Sequence, residues 1–209
     1  MREIIKEGGV VMYPIILCSI LALTIIIERL IVLYRLQVST RRFVVRLRKI
    51  LPHAHGNPME VAAFCEGFSS PLAQVLLAGL LKANQSKREL KEAIEFAGSR
   101  AAQSLGRYLE GLATIAKITP LLGLLGTVVG MIKVFKKILE IQMAGEGVNP
   151  SALAEGIGNA LITTAAGLGV AIPVIVFHHY LTSRVDKFVT EIEGQSNEFV
   201  DTLFVGKRN

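Results

Sequence analysis

The stretch Gly156–Pro173, GIGNALITTAAGLGVAIP, is apolar enough for a membrane helix, yet it holds an amide at Asn159 and hydroxyls at Thr163 and Thr164. It opens an uncharged run that continues to Phe177, and two more such runs precede it, Val10–Ile27 and Ile118–Ile132. At about 1.5 Å per residue the first and third runs cross a hydrocarbon layer of roughly 30 Å. The second reaches across with its flanking turns, Lys117 and Lys133 carrying their charges to the two interfaces. Apolar residues make up 51% of the 209, and the mean hydropathy is +0.49. Both values set the chain apart from soluble domains.

These observations predict an all-α membrane protein with three transmembrane helices, over 10–33, 112–135 and 153–180. A short outer N-terminus (1–9), an inner helical segment (34–111), an outer loop (136–152) and an inner C-terminal helix (181–209) complete the expected organisation. The first run is expected to stay as an anchor and not to be removed as a signal peptide. Glu3 and Glu7 offset Arg2 and Lys6, and Glu28-Arg29 stands where small residues would mark cleavage.

The formal charge of +6 is unevenly placed, with thirteen Lys/Arg against six acids between Tyr34 and Lys117. The cluster Arg41, Arg42, Arg46, Arg48, Lys49 directly follows the first span. Positive charge beside a span marks the cytoplasmic side, which puts the N-terminus outside and the C-terminus inside. Anionic lipid accounts for the cluster without nucleic acid.

Cys18 and Cys65 form no disulfide framework. His53-Ala54-His55 sits among turn residues without further ligands, so no metal site and no cofactor is expected. The chain has no nucleophile elbow and no Walker-type phosphate loop, and so no sign of an enzyme.

Breaker signals fall at Pro52–Pro58 and at Ser69-Ser70-Pro71. Ser86-Lys87-Arg88-Glu89 has capping-box spacing. From there Leu90, Ile94, Ala97, Ala101, Leu105, Leu109 and Leu112 keep one helical face apolar into the second span. Spans two and three are therefore expected to extend inward as long helices, the third carrying the stripe Val185, Phe188, Ile192, Phe199 and Leu203.

Within the second span Thr119, Gly123, Gly126 or Thr127, and Gly130 recur at three- and four-residue steps. In the third, Ala160, Thr164, Gly167 and Ala171 do the same. Faces this small let membrane helices approach closely. Asn159, Thr163 and Glu155 follow each other at one-turn steps, which also suits a water-accessible polar pathway with Glu155 at its outer entrance. Pro120 and Pro173 each remove one helical hydrogen bond, to Ala116 and Gly169, and are candidates for bends.

At these residues the sequence resembles the MotA/TolQ/ExbB proton-channel family. The matching pieces are IIIERLIVLYRL, ITPLLGLLGTVVGMI and LAEGIGNALITTAAGLGVAIPVI. With three spans the likeness is closer to ExbB and TolQ than to four-span MotA. The resemblance implies a homopentamer in the bacterial inner membrane around two copies of an ExbD- or TolR-like single-span partner, whose aspartate carries the proton. A TonB- or TolA-like transducer would take up the resulting work. Thr127 and Thr164 match the family's threonines that face that aspartate. Where ExbB and TolQ carry glutamate, in a GIxEAL pattern, this chain has Asn159. Two other readings stand beside a proton-driven motor: a non-conducting scaffold of the same family, and a sodium-driven stator relative.

Overall fold

The computed structural model describes residues 9–50, 58–82, 87–145 and 150–206. Among the described residues five helices follow one another: α1 (Met12–Ile50), α2 (Pro58–Glu66), α3 (Pro71–Leu80), α4 (Lys87–Met143) and α5 (Pro150–Gly206). No strand occurs among the described residues. The histidine-containing turn, the Ser86 cap and residues 146–149 of the expected outer loop lie outside them.

Among the described residues three helices are long and apolar enough to cross a membrane, over Met12–Ile50, Arg88–Met143 and Leu153–Phe199. Only 22%, 17% and 28% of their apolar windows is buried within the chain. Leu17, Ile20, Leu23, Leu121, Leu124, Leu125, Leu161, Ile172 and Val176 all stand exposed. So much contiguous apolar surface does not survive in water and requires lipid or other protein subunits. The fold is thus an all-α membrane protein.

The helices exceed the apolar runs. α1 continues to Ile50 and α4 to Met143, because neither 28–50 nor 133–143 contains a glycine or proline to stop it. Gly145, with φ of +75°, ends the second of these stretches. Pro120 and Pro173 lie inside unbroken helices.

The chain divides into two compact units. One comprises residues 1–27 and 109–179, and its buried residues include Ile15, Ala22, Leu112, Ala116, Thr119, Ala160, Thr163, Ala171 and Val174. The small size of most of these residues brings the helix backbones together, as described below.

The other unit comprises 28–108 and 180–209 and has an ordinary large-residue core. Phe43 is fully buried, its ring centroid 5.8 Å from that of Phe64 and 5.3 Å from that of Phe68. Serine makes the breaker before α3 into a start signal: the Ser70 hydroxyl accepts from the Ala73 N–H at 3.1 Å, and Pro71 occupies the first turn. α3 buries Leu72, Val75, Leu76 and Leu80. A side chain at Gly79 would lie 2.5 Å from Ile94 Cγ1, so glycine is needed for α3 to meet α4. Leu181, Val185, Phe188, Ile192 and Phe199 form the buried stripe of α5 in this unit.

Two outcomes follow. Phe43→Ala should lower stability by about 3–5 kcal/mol, the range for emptying a large aromatic site, read by unfolding followed at 222 nm in detergent. Burial pushes the Cys65 thiol up to about 11 from an ordinary 9.0. Between those values the unfolded chain releases a proton that the folded chain keeps, so the thiol's contribution to stability is constant below pH 9 and falls as pH rises towards 11. Cys65→Ala should remove that part of the alkaline destabilisation. Equal losses of melting temperature between pH 8 and 10.5 in wild type and variant would contradict it.

Candidate functional site: the small-residue seam of α4 and α5

In the first unit α4 and α5 meet along a row of glycines. A Cβ placed on Gly167 would lie 2.8 Å from the Thr119 carbonyl oxygen and 3.0 Å from Gly123 Cα. One on Gly123 would lie 3.1 Å from both the Thr163 carbonyl oxygen and Thr164 Cα. At this level the contact is backbone against backbone, with no side chain between the helices. Further along, a Cβ on Gly126 would collide with the Thr163 side chain. At Gly130 it would lie 2.6 Å from the Ala160 methyl, and at Gly156 it would collide with Val134. The order of contacts, rising on α4 as it falls on α5, makes the two helices antiparallel.

The seam therefore joins Gly123, Gly126 and Gly130 on α4 to Ala160, Thr163 and Gly167 on α5, and the buried row of α5 continues through Ala171 to Val174. This row passes through Thr163, 1% exposed, and Thr164 stands to one side of it, half-buried. A step of 100° per residue explains the offset: Ala160 to Thr163 to Gly167 stays on one face, and Thr164 turns off it. Gly156 and Val134 extend the seam beyond what the small-residue pattern indicated. The available signal was that Gly156 lies four residues before Ala160.

Most hydroxyls of the spans bond to their own helix. Thr24 donates to the Ile20 carbonyl at 2.8 Å, Thr119 to Ile115 at 2.7 Å and Thr127 to Leu124 at 2.7 Å. Such bonds satisfy the hydroxyl in a medium without water. Thr164 crosses between helices, its hydroxyl donating to the Gly123 carbonyl at 3.0 Å. In the helical ladder that same carbonyl is the acceptor for the Thr127 N–H, one turn on. Gly123 thus brings both threonines to one carbonyl, Thr127 half-buried above it and Thr164 across from it. Each hydroxyl spends its single proton on a carbonyl and keeps oxygen lone pairs with which to accept.

Asn159 is half-buried on α5, and Glu155 is exposed one turn before it. No group of three or more His, Cys, Asp or Glu that could hold a metal occurs among the described residues.

Comparison with known proteins bears on this seam directly. The model of the MotA/TolQ/ExbB proton channel family matches residues 68–194, which include the whole of it. The chain belongs to the MotA/TolQ/ExbB family. It is 32% identical over 203 residues to the biopolymer transport protein exbB1 of Vibrio cholerae, covering 94% of this chain and 86% of that one. It is 29% identical to a putative biopolymer transport protein ExbB homolog of Methanothermobacter thermautotrophicus, over 91% of this chain and 66% of the relative. The Tol-Pal system protein TolQ of Haemophilus influenzae matches at 35% over 53% of this chain and 47% of TolQ, so the chain spans about half of that protein. Family membership together with three apolar helices suits a multi-pass protein of the inner membrane.

Two glycines separate packing from helix propensity. Gly167→Ala should force the seam apart, since its neighbours are backbone atoms that cannot swing away. Gly169→Ala meets nothing within 4 Å and should be neutral or stabilising by up to about 1 kcal/mol. Thermal unfolding of both variants in detergent checks the contrast, and equal melting temperatures would contradict the backbone contact.

Proposed function

We propose that the chain is an ExbB/TolQ-like subunit that couples proton flow down the proton-motive force to mechanical work on the cell envelope. The observation that carries this reading is the bond of the Thr164 hydroxyl across the seam to the Gly123 carbonyl, one turn before Thr127, whose own hydroxyl donates to Leu124. In the proposed assembly, five copies place these hydroxyls around two copies of an ExbD/TolR-like single-span partner that carries an aspartate. Charge placement supports an outer N-terminus and a cytoplasmic C-terminus.

The chemistry needed at a proton-carrying carboxyl is a group that serves both of its states. With its proton spent on Gly123, the Thr164 oxygen accepts from a neutral carboxylic acid. When the acid ionises, the hydroxyl rotates from the carbonyl and donates to the carboxylate instead. The exchange leaves the Gly123 carbonyl with its helical partner, so no buried acceptor is orphaned. Thr127, bonded to Leu124, is suited to the same exchange one turn away. Half-buried Asn159 extends the polar lining towards Glu155 at the outer entrance, whereas Thr163 is taken up by the seam against Gly126, and Pro120 and Pro173 allow the two helices to bend.

Asn159 cannot carry a proton as a carboxylate does, which assigns proton carriage to the partner's aspartate. One proton crossing 100 mV releases about 2.3 kcal/mol, so several protons per cycle would be needed to break a substantial protein contact. A TonB- or TolA-like transducer is the proposed recipient of the work.

A scaffold reading rests on the same Asn159 and on the seam's sufficiency for packing alone. Proton flux into liposomes holding this chain and its single-span partner distinguishes the two. Thr164→Ala and Thr127→Ala should each cut flux by at least about tenfold, the loss expected for one functional hydrogen bond to a charged group of 1.5–3 kcal/mol, with assembly unchanged. Undiminished flux in both variants removes the assigned roles, and no flux in an intact wild-type complex favours the scaffold. Replacing protons by sodium as the driving ion tests the sodium-driven alternative.

A further inference from the structure

Within the second unit, α1, α3 and α4 enclose a cleft of about 680 Å³. Its lining includes three arginines, Arg29, Arg100 and Arg107, with the hydroxyls of Ser104 and Tyr108, and no acid. A cleft this size suits a small ligand or a headgroup.

Arg29 is the unusual member. It is 5% exposed, a buried cation directly after the apolar run of α1. Its Nε donates to Glu28 Oε2 at 2.8 Å, its Nη1 to the Leu105 carbonyl at 3.3 Å, and its guanidinium lies 4.2 Å from the centre of the Tyr108 ring. These contacts hold the group in one orientation and use two of the five N–H donors of a guanidinium. The remaining donors belong to a group that lines the cleft. Glu28 is half-exposed and offsets one of the three charges. Arg107 makes no ion pair among the described residues, and Arg100 is 5.9 Å from the Phe96 ring centre. Three arginines facing one cleft with one nearby carboxylate repel each other unless an anion joins them.

We propose that this cleft holds the phosphate group of an anionic membrane glycerophospholipid. Planar guanidinium groups pair with phosphate oxygens through paired N–H donors, and Ser104 and Tyr108 add neutral ones. The position selects lipid over a soluble phosphate. Arg29 stands two residues past the apolar run ending at Ile27, and Tyr108 lies four residues before the apolar part of α4 begins at Leu112, so the cleft falls at the level of the headgroups. Anionic lipids are concentrated in the cytoplasmic leaflet, the side to which the proposed topology assigns this segment. The site rests on that topology and not on proton coupling. It is also separate from the cluster at 41–49, of which Arg42 and Arg46 line a different cleft of about 520 Å³ with Tyr34, Arg35 and Phe68.

The test uses the full chain in uncharged detergent, with short-chain phosphatidylglycerol, short-chain phosphatidylcholine and inorganic phosphate as probes. Phosphatidylglycerol should raise the melting temperature saturably and phosphatidylcholine should not, because ligand bound to the folded state stabilises it by mass action. Arg100→Gln/Arg107→Gln, at two exposed positions, should raise the half-saturating concentration at least tenfold. Arg41→Gln/Arg48→Gln, outside the cleft, should leave it unchanged. Equal titrations in wild type and the Arg100/Arg107 variant would overturn the site, as would an equal effect of both variants. Inorganic phosphate giving the same arginine-dependent shift at the same concentration would overturn the lipid source. Because no flux is measured, failure here is distinguishable from failure of the motor reading.

Discussion

Everything specific in the first unit depends on the absence of side chains between α4 and α5 at Gly123 and Gly167. With alkyl groups there, the helices would stand apart by the usual width of a side chain, and the Thr164 hydroxyl would fall short of the Gly123 carbonyl. In hydrocarbon there is no hydrophobic drive to compensate for a looser fit, so packing and interhelical hydrogen bonds hold the pair together. Glycine is costly in a helix in water, by about 1 kcal/mol relative to alanine. Its repeated use at one face is explained by the contact it permits.

That contact also governs the chemistry available. A threonine bonded within its own helix, as Thr24, Thr119 and Thr127 are, ties no second helix to it. A threonine whose partner is the backbone of a neighbouring helix can release it while the acceptor remains bonded in its own ladder. The placement of Thr164 against Gly123 thus joins α4 and α5 through a hydroxyl whose oxygen keeps lone pairs with which to accept. Thr163, deep in the seam against Gly126, is built for packing to a greater degree than its neighbour.

The second unit packs in a different way. Its core is large and aromatic around Phe43, its helix α3 begins at an ordinary serine cap, and its charges lie on the surface apart from Arg29. A buried arginine is tolerated because a carboxylate, a carbonyl and an aromatic face share its desolvation. The two units thus show two solutions to burial, small residues between the apolar helices of the first and large ones around Phe43 in the second.

The all-α class, the three spans and the small-residue faces were legible in the sequence, because uncharged length and three- and four-residue spacing are local properties of the chain. So was the candidacy of Gly123, Gly126, Gly130, Ala160 and Gly167, since nothing but close approach accounts for so little bulk on one face. Which of Thr163 and Thr164 enters the seam was not legible, for adjacent residues differ by only 100° around the helix and the facing surface decides between them. The bond from Thr164 to Gly123, the contact of Gly156 with Val134 and the burial of Arg29 under Tyr108 join residues 41, 22 and 79 positions apart. A sequence lists what each helix offers along its own axis. Only the tertiary structure decides how two helices are rotated and slid against each other, because that choice is made by the fit of both surfaces at once.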